Sequence, residues 1–130
     1  MTKDTGVASH SDALLGKRVL LAIAGGIAAV ESVRLARELR RHQADLTVIM
    51  SEEATKIITP LAVSWGSDTI VHQGWSSEMS QLEGFDLILI APATRNTISK
   101  HLHGIMDSPL LMALSASRGR KSKLCFVPSM

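Results

Sequence analysis

Apolar and polar positions along the chain fall into two alternating rhythms. Residues 17–24, Lys-Arg-Val-Leu-Leu-Ala-Ile-Ala, enter with charge and continue as an unbroken apolar run that stops at Gly25-Gly26. Residues 46–50 (Leu-Thr-Val-Ile-Met) and 87–90 (Leu-Ile-Leu-Ile) repeat the pattern. Such runs suit strands buried on both faces of a parallel sheet. Between the first two, residues 27–42 switch to a helical period. Ala28, Ser32, Leu35, Ala36 and Leu39 fall on one face, and Arg34, Arg37, Glu38 and Arg41 on the other. That predicts a helix with one side packed on the sheet.

The remaining segments extend the alternation. Ser51 reads as a helix N-cap with Glu52 and Glu53 in the first turn of a short helix to about residue 58, broken before Pro60. Residues 61–65 suit another helical turn, 69–71 a short edge strand, and 73–84 a polar loop with some helix. After the central strand come helices over about 96–103 and 108–117, then a last strand at 123–127. Strands alternating with helices through right-handed crossovers predict an α/β fold: a doubly wound parallel sheet in a three-layer αβα sandwich. Residues 1–16 are expected to form a mobile leader and 17–130 a single domain. The final strand has no covering helix, so either a partner chain covers its bare face or the domain continues in a longer, C-terminally more complete protein.

Composition narrows the function classes. With 130 residues, 45% of them hydrophobic, the chain can bury a core without disulfides or metal. A formal charge of +2, no Tyr and only two Phe and two Trp argue against a nucleic-acid stacking platform, although Arg118, Arg120, Lys121 and Lys123 cluster. The single Cys125, within the apolar Leu124-Cys125-Phe126-Val127, reads as a buried hydrophobe rather than a nucleophile. His101 and His103 stand two apart, on different helix faces, and no zinc signature accompanies them. No apolar run is long enough for a membrane span and residues 1–14 lack the apolar core of a signal peptide, so the expected location is the cytoplasm.

The candidate chemistry lies at the carboxyl ends of the strands, where ligands bind in open α/β sheets. Three of them reach one rim: the first at Gly25, the second at Ser51 and the central one at Thr94, with Asn96 and Thr97 beyond. Gly25-Gly26 could be a plain tight turn or a phosphate site at a helix N-terminus. It is neither a G-x-G-x-x-G fingerprint nor a P-loop. The Thr94 segment could likewise be an ordinary hydroxyl-capped turn.

Four segments nevertheless carry a family resemblance: Gly25-Gly26-Ile27-Ala28-Ala29; Met50-Ser51-Glu52-Glu53-Ala54-Thr55 with Thr59-Pro60-Leu61; Ala91-Pro92-Ala93-Thr94-Arg95-Asn96-Thr97; and His103-Gly104-Ile105-Met106-Asp107. In this order and spacing they resemble the flavin-containing cysteine decarboxylases, the family of phosphopantothenoylcysteine decarboxylase and the lantibiotic peptidyl-cysteine decarboxylases. The resemblance implies a Rossmann-like domain that binds FMN and assembles as a homo-oligomer, a trimer or a dodecamer of trimers, with the flavin near a subunit interface. It places Gly25, Gly26, Ile27 and Ser51 toward the phosphate and ribityl end, and Pro92, Ala93, Thr94, Asn96 and Thr97 along the ribityl chain and ring. Arg95 stands where a small residue is usual.

Three departures qualify what the resemblance implies. The family's histidine, eight residues before the Asp of the central strand, corresponds to Glu78; His72 is too early to replace it. The asparagine of Gly-Ile-x-Asp-Asn corresponds to Ser108, and the Pro-x-Met-Asn segment only begins, at Pro128-Ser129-Met130. Because acid–base and anchoring groups each contribute orders of magnitude in rate, the expectation is an FMN protein doing redox work on a small-molecule substrate, with an electron-donor protein as partner. The alternatives are a decarboxylase acting on phosphopantothenoylcysteine or peptidyl-cysteine, in which Glu78 or Ser108 substitutes for a missing group, and a non-catalytic subunit. No nucleic acid, membrane or metal partner is expected.

Overall fold

The computed structural model describes residues 7–77 and 82–129. Among these, five strands form one parallel sheet: β1 (Arg18–Ile23), β2 (Asp45–Met50), β3 (Val71–His72), β4 (Leu87–Ala93) and β5 (Lys123–Pro128), in the order β3-β2-β1-β4-β5. The helices are α1 (Ser32–Arg41), α2 (Pro60–Ser67), α3 (Arg95–Leu102) and α4 (Pro109–Arg118). Alternation along β1 assigns them to faces. Val19, Leu21 and Ile23 pack with Ala36 and Leu39 of α1 and Val63 of α2, whereas Leu20 and Ala22 pack with Leu110, Leu111 and Leu114 of α4. The fold is therefore the doubly wound α/β, Rossmann-like architecture that the alternation predicts, with the direction of winding reversing between β1 and β4.

Local chemistry starts three of the helices. Thr59, Thr94 and Ser108 each sit in extended backbone and accept a hydrogen bond from the amide three residues on, at 3.1, 3.2 and 3.2 Å. Pro60 and Pro109 occupy first-turn positions, where a missing amide proton removes no bond. In contrast, α1 lacks a side-chain cap among the described residues and runs on from a 3-10 turn, Ile27–Glu31. That tighter turn shifts the phase of the first residues, so Ala29 rather than the expected Ala28 is fully buried.

Several other expectations are corrected. Ser51 accepts from Ala54 N as a cap does, at 3.1 Å, but only a 3-10 turn, Ala54–Lys56, follows it, and the longer helix is the next one, α2. Cys125 is exposed, not buried. On the edge strand β5, Leu124 and Phe126 point into the α3–α4 side, while Cys125 and Val127 alternate onto the face that no described helix covers. Residues 10–16 are not free: His10 N and Leu14 N donate to Arg41 O and His42 O at 2.8 and 2.9 Å, and the Leu14 side chain packs on the core. The unsatisfied carbonyls at the end of α1 supply the acceptors. Glu78 lies outside the described residues.

Candidate functional site

Two loops meet at the carboxyl ends of β1 and β2. Ser51 N donates to Ile23 O at 3.0 Å, which ties the second strand's exit to the first, and Ala24 N donates to Pro92 O at 3.2 Å, which ties β1 to β4. Gly25 fits because it has no side chain: a Cβ there would lie 2.3 Å from Glu53 Cβ and 3.0 Å from the Glu53 carbonyl carbon. At Gly26 a Cβ would meet only ordinary contacts, Thr94 Cγ2 at 3.5 Å and Pro92 Cγ at 3.7 Å. The two glycines thus do different work. Gly25 allows close loop packing, and Gly26 is the extended residue before the 3-10 turn, beside a cis Ala91–Pro92 peptide.

The space these loops leave is a cavity of about 370 Å³ at the switch point between β1 and β4. Gly25, Ser51, Glu52 and Glu53 form one wall; Thr94, Asn96 and Thr97 from the first turn of α3 form another; Ser108, Leu110 and Leu111 from the start of α4 close it. Two helix N-termini therefore open on one space, and their amide dipoles favour a negatively charged group there. Thr94 Oγ1 accepts from Thr97 N and donates to Thr97 Oγ1 at 3.0 Å, which leaves the Thr97 hydroxyl proton free for a ligand. The Asn96 side chain is exposed and without a hydrogen bond to the described residues.

Sequence reasoning assembled part of this site. Gly25, Ser51, Thr94, Asn96, Thr97 and Ser108 are brought together, and Gly26 adjoins them through Thr94. Ile27 is 69% exposed and lies outside the cavity. Pro92 lines an apolar groove beside α1 with Val127 and Leu35, and Ala93 and Arg95 face a shallower hollow along α3. Sequence reasoning gave no site role to Lys100 or to Asp107, the end of the His103–Asp107 segment, although both also line the cavity and pair with each other at 2.9 Å, and it missed the apolar lining of Leu110 and Leu111. For Lys100 the available signal was helical spacing, four residues after Asn96 and one turn further along the same face.

Among the described residues, no group of three or more His, Cys, Asp or Glu could hold a metal ion, and no helix is long and apolar enough to cross a membrane. The sequence profile of the family described as Flavoprotein matches residues 7–130. Among relatives, the coenzyme A biosynthesis bifunctional protein CoaBC of Thermococcus kodakarensis is 44% identical over 117 residues, covering 85% of this chain and 29% of its own length. The chain thus spans under a third of that relative. Among solved structures, the FMN-dependent cysteine decarboxylase SpaF superposes with a TM-score of 0.82 at 23% identity, covering 91% of this chain and 71% of the other. A dodecameric FMN-dependent UbiX-like decarboxylase from Escherichia coli O157:H7 gives 0.77 at 20% identity, covering 87% and 67%. At those identities the superpositions establish the shared fold.

Proposed function

Because this chain belongs to the flavoprotein family, we propose that it binds FMN in the switch-point cavity and uses it for redox chemistry on a small molecule. The observation that carries the reading is the convergence of Gly25, Ser51, Thr94 and the capped N-termini of α3 and α4 on one space. The donor set fits a phosphorylated flavin. Backbone amides and the Ser51 and Thr97 hydroxyls suit phosphate and ribityl oxygens, and the free Asn96 amide can both donate and accept along a ring edge. Charge comes from the helix termini rather than from a row of arginines. In this reading Gly25 and Ser51, with Gly26 beside Thr94, hold the phosphate and ribityl end, and Thr94, Asn96 and Thr97 follow the ribityl chain and ring, whereas Ile27, Pro92 and Ala93, which the resemblance also named, lie outside this cavity.

The bound flavin supplies a reversible two-electron acceptor, and the protein supplies placement and electrostatics. Leu110 and Leu111 give one side of the cavity an apolar lining, and the Lys100–Asp107 ion pair, neutral overall, stands at its rim. The Ser108 hydroxyl accepts from Leu111 N at 3.2 Å, which leaves its proton and a second lone pair for a substrate group. Assembly from identical copies, an electron-donor protein and a cytoplasmic setting complete the proposal.

A second reading, decarboxylation of an acyl- or peptidyl-cysteine with Glu78 or Ser108 in the chemistry, is favoured by the 44% identity to a coenzyme A biosynthesis protein. One experiment separates the two. The purified protein is examined for flavin absorbance, then incubated with pantothenoylcysteine phosphate, with and without a reductant, and the products are weighed by mass spectrometry. Bound flavin that turns over electrons without loss of carbon dioxide supports the redox reading; rapid loss of carbon dioxide with no added electron donor establishes the second. A folded, colourless protein that refuses added FMN defeats both.

A further inference from the structure

At the other end of the sheet, where β1, β4 and β5 begin, a second hollow of about 450 Å³ opens. Four cations line it: Lys17 ahead of β1, Arg120 and Lys121 in the turn before β5, and Lys123 at the start of β5. None of the four makes an ion pair with a described residue. The one carboxylate in the wall, Asp86, is already engaged, accepting from Arg18 N at 2.8 Å. Arg18 itself is satisfied elsewhere, by Glu83 and by Gly84 O at 2.8 Å each and by the Phe85 ring 4.9 Å away. The hollow therefore presents four exposed cations against a single, already engaged carboxylate, a net positive rim that draws an anion toward it.

The turn that presents these cations is anchored. Ser122 Oγ donates to Phe85 O at 2.6 Å and Lys123 N donates to Asp86 O at 3.1 Å. Lys121 adopts a left-handed backbone, φ 58°, where glycine or asparagine would be unstrained. The anchored turn thus holds Lys121 at the edge of the concavity together with the three other cations. The floor adds a second recognition element, since Leu14, Phe85 and Leu87 contribute apolar surface beside the cations. The volume is that of a small-molecule pocket rather than of a flat protein or nucleic-acid footprint.

We propose that this hollow is a second ligand site, distinct from the cofactor cavity, that takes an organic polyphosphate: its phosphates meet Lys17, Arg120, Lys121 and Lys123, and its organic part rests on the apolar floor. The proposal does not depend on the flavin reading. The test uses calorimetric titration of the full chain, with and without added FMN, against ATP, inorganic tripolyphosphate and a short DNA duplex at fixed ionic strength. ATP should bind saturably and several-fold more tightly than tripolyphosphate, and the duplex should not compete. Arg120→Gln with Lys123→Gln should weaken ATP binding about tenfold or more. Lys121→Gly should also weaken it while melting no lower than the parent, because it relieves the backbone; this separates lost binding from lost folding. Flavin content should stay unchanged throughout. Variants that bind ATP within twofold of the parent, equal affinity for tripolyphosphate, preference for the duplex, or no saturable ATP binding would each overturn the proposal.

Discussion

Gly25→Ala is a direct test of how the switch-point cavity is built. The new Cβ would stand 2.3 Å from Glu53 Cβ, 3.0 Å from the Glu53 carbonyl carbon and 3.2 Å from Ala54 N. Carbon atoms at rest sit about 3.5–4.0 Å apart, so the loops after β1 and β2 must separate by roughly 1 Å or more. No rotamer change helps, because every opposing atom is backbone or fixed to it. Overpacking of this kind typically destabilises by about 1–3 kcal/mol. For a domain of this size that lowers the melting temperature by roughly 3–15 °C. The same displacement moves Gly25 away from its own loop's partners in the cavity wall, and flavin affinity should fall about tenfold, on the order of 1.4 kcal/mol.

Gly26→Ala is the internal control. Its Cβ finds neighbours at 3.5 Å and beyond, and φ −106°, ψ 161° suits alanine. Its stability should stay within about 0.5 kcal/mol of the parent, with a small gain possible from the less flexible unfolded chain. Thermal denaturation of the flavin-free proteins, followed by flavin titration of each, reads both quantities. If Gly25→Ala melts with the parent and holds flavin equally well, or if Gly26→Ala is the more damaging of the two, the loop-packing account is wrong.

Asn96→Ala should lower flavin occupancy while leaving the melting temperature unchanged, since that side chain is exposed and bonds no described residue; unchanged occupancy in the absorbance ratio would remove Asn96 from the site. Thr94→Val removes the N-cap of α3 and should destabilise by about 1 kcal/mol in denaturant unfolding, with weaker flavin binding besides. Gly66→Ala places a Cβ 2.8 Å from Val33 Cγ1 and 3.1 Å from Val33 O, where α2 crosses α1; a loss of about 1–3 kcal/mol in the flavin-free protein is expected, with flavin affinity of the folded fraction unaltered. The Arg41 guanidinium, hydrogen-bonded to Glu38, holds that carboxyl below its ordinary 4.5, with His42 acting in the same sense. A depressed folded value means stabilisation that is complete above the ordinary value and lost as pH falls through the folded one. Glu38→Gln should therefore flatten the melting-temperature profile on the acid side of pH 4.5, and an unchanged acid limb would show the pair contributes nothing.

The sheet was readable because buried parallel strands leave continuous apolar runs, and β1, β2 and β4 occur where those runs stand. The capped starts of α3 and α4 were readable for a similar reason, since Thr94 and Ser108 act on amides three residues away and need no distant partner. Misreadings arose where the answer depended on what lies above or beside a segment. The apolar run of β5 gave no sign that Cys125 would face outward, because exposure there depends on a neighbouring layer rather than on the strand's own residues. Lys100 and Asp107 were missed because they come together only once α3 has turned and the chain has doubled back before α4. Residues 10–16 looked featureless because their partners, the carbonyls ending α1, lie some thirty positions away.

The uncovered side of β5 has a practical use. Cys125 is the single cysteine of these 130 residues and is solvent-accessible, so any disulfide formed within this stretch must join two molecules. It also offers one addressable thiol at the sheet's margin. Maleimide labelling before and after mixing with a candidate subunit would therefore report, by protection of that sulfur, whether the newcomer settles over this edge or elsewhere.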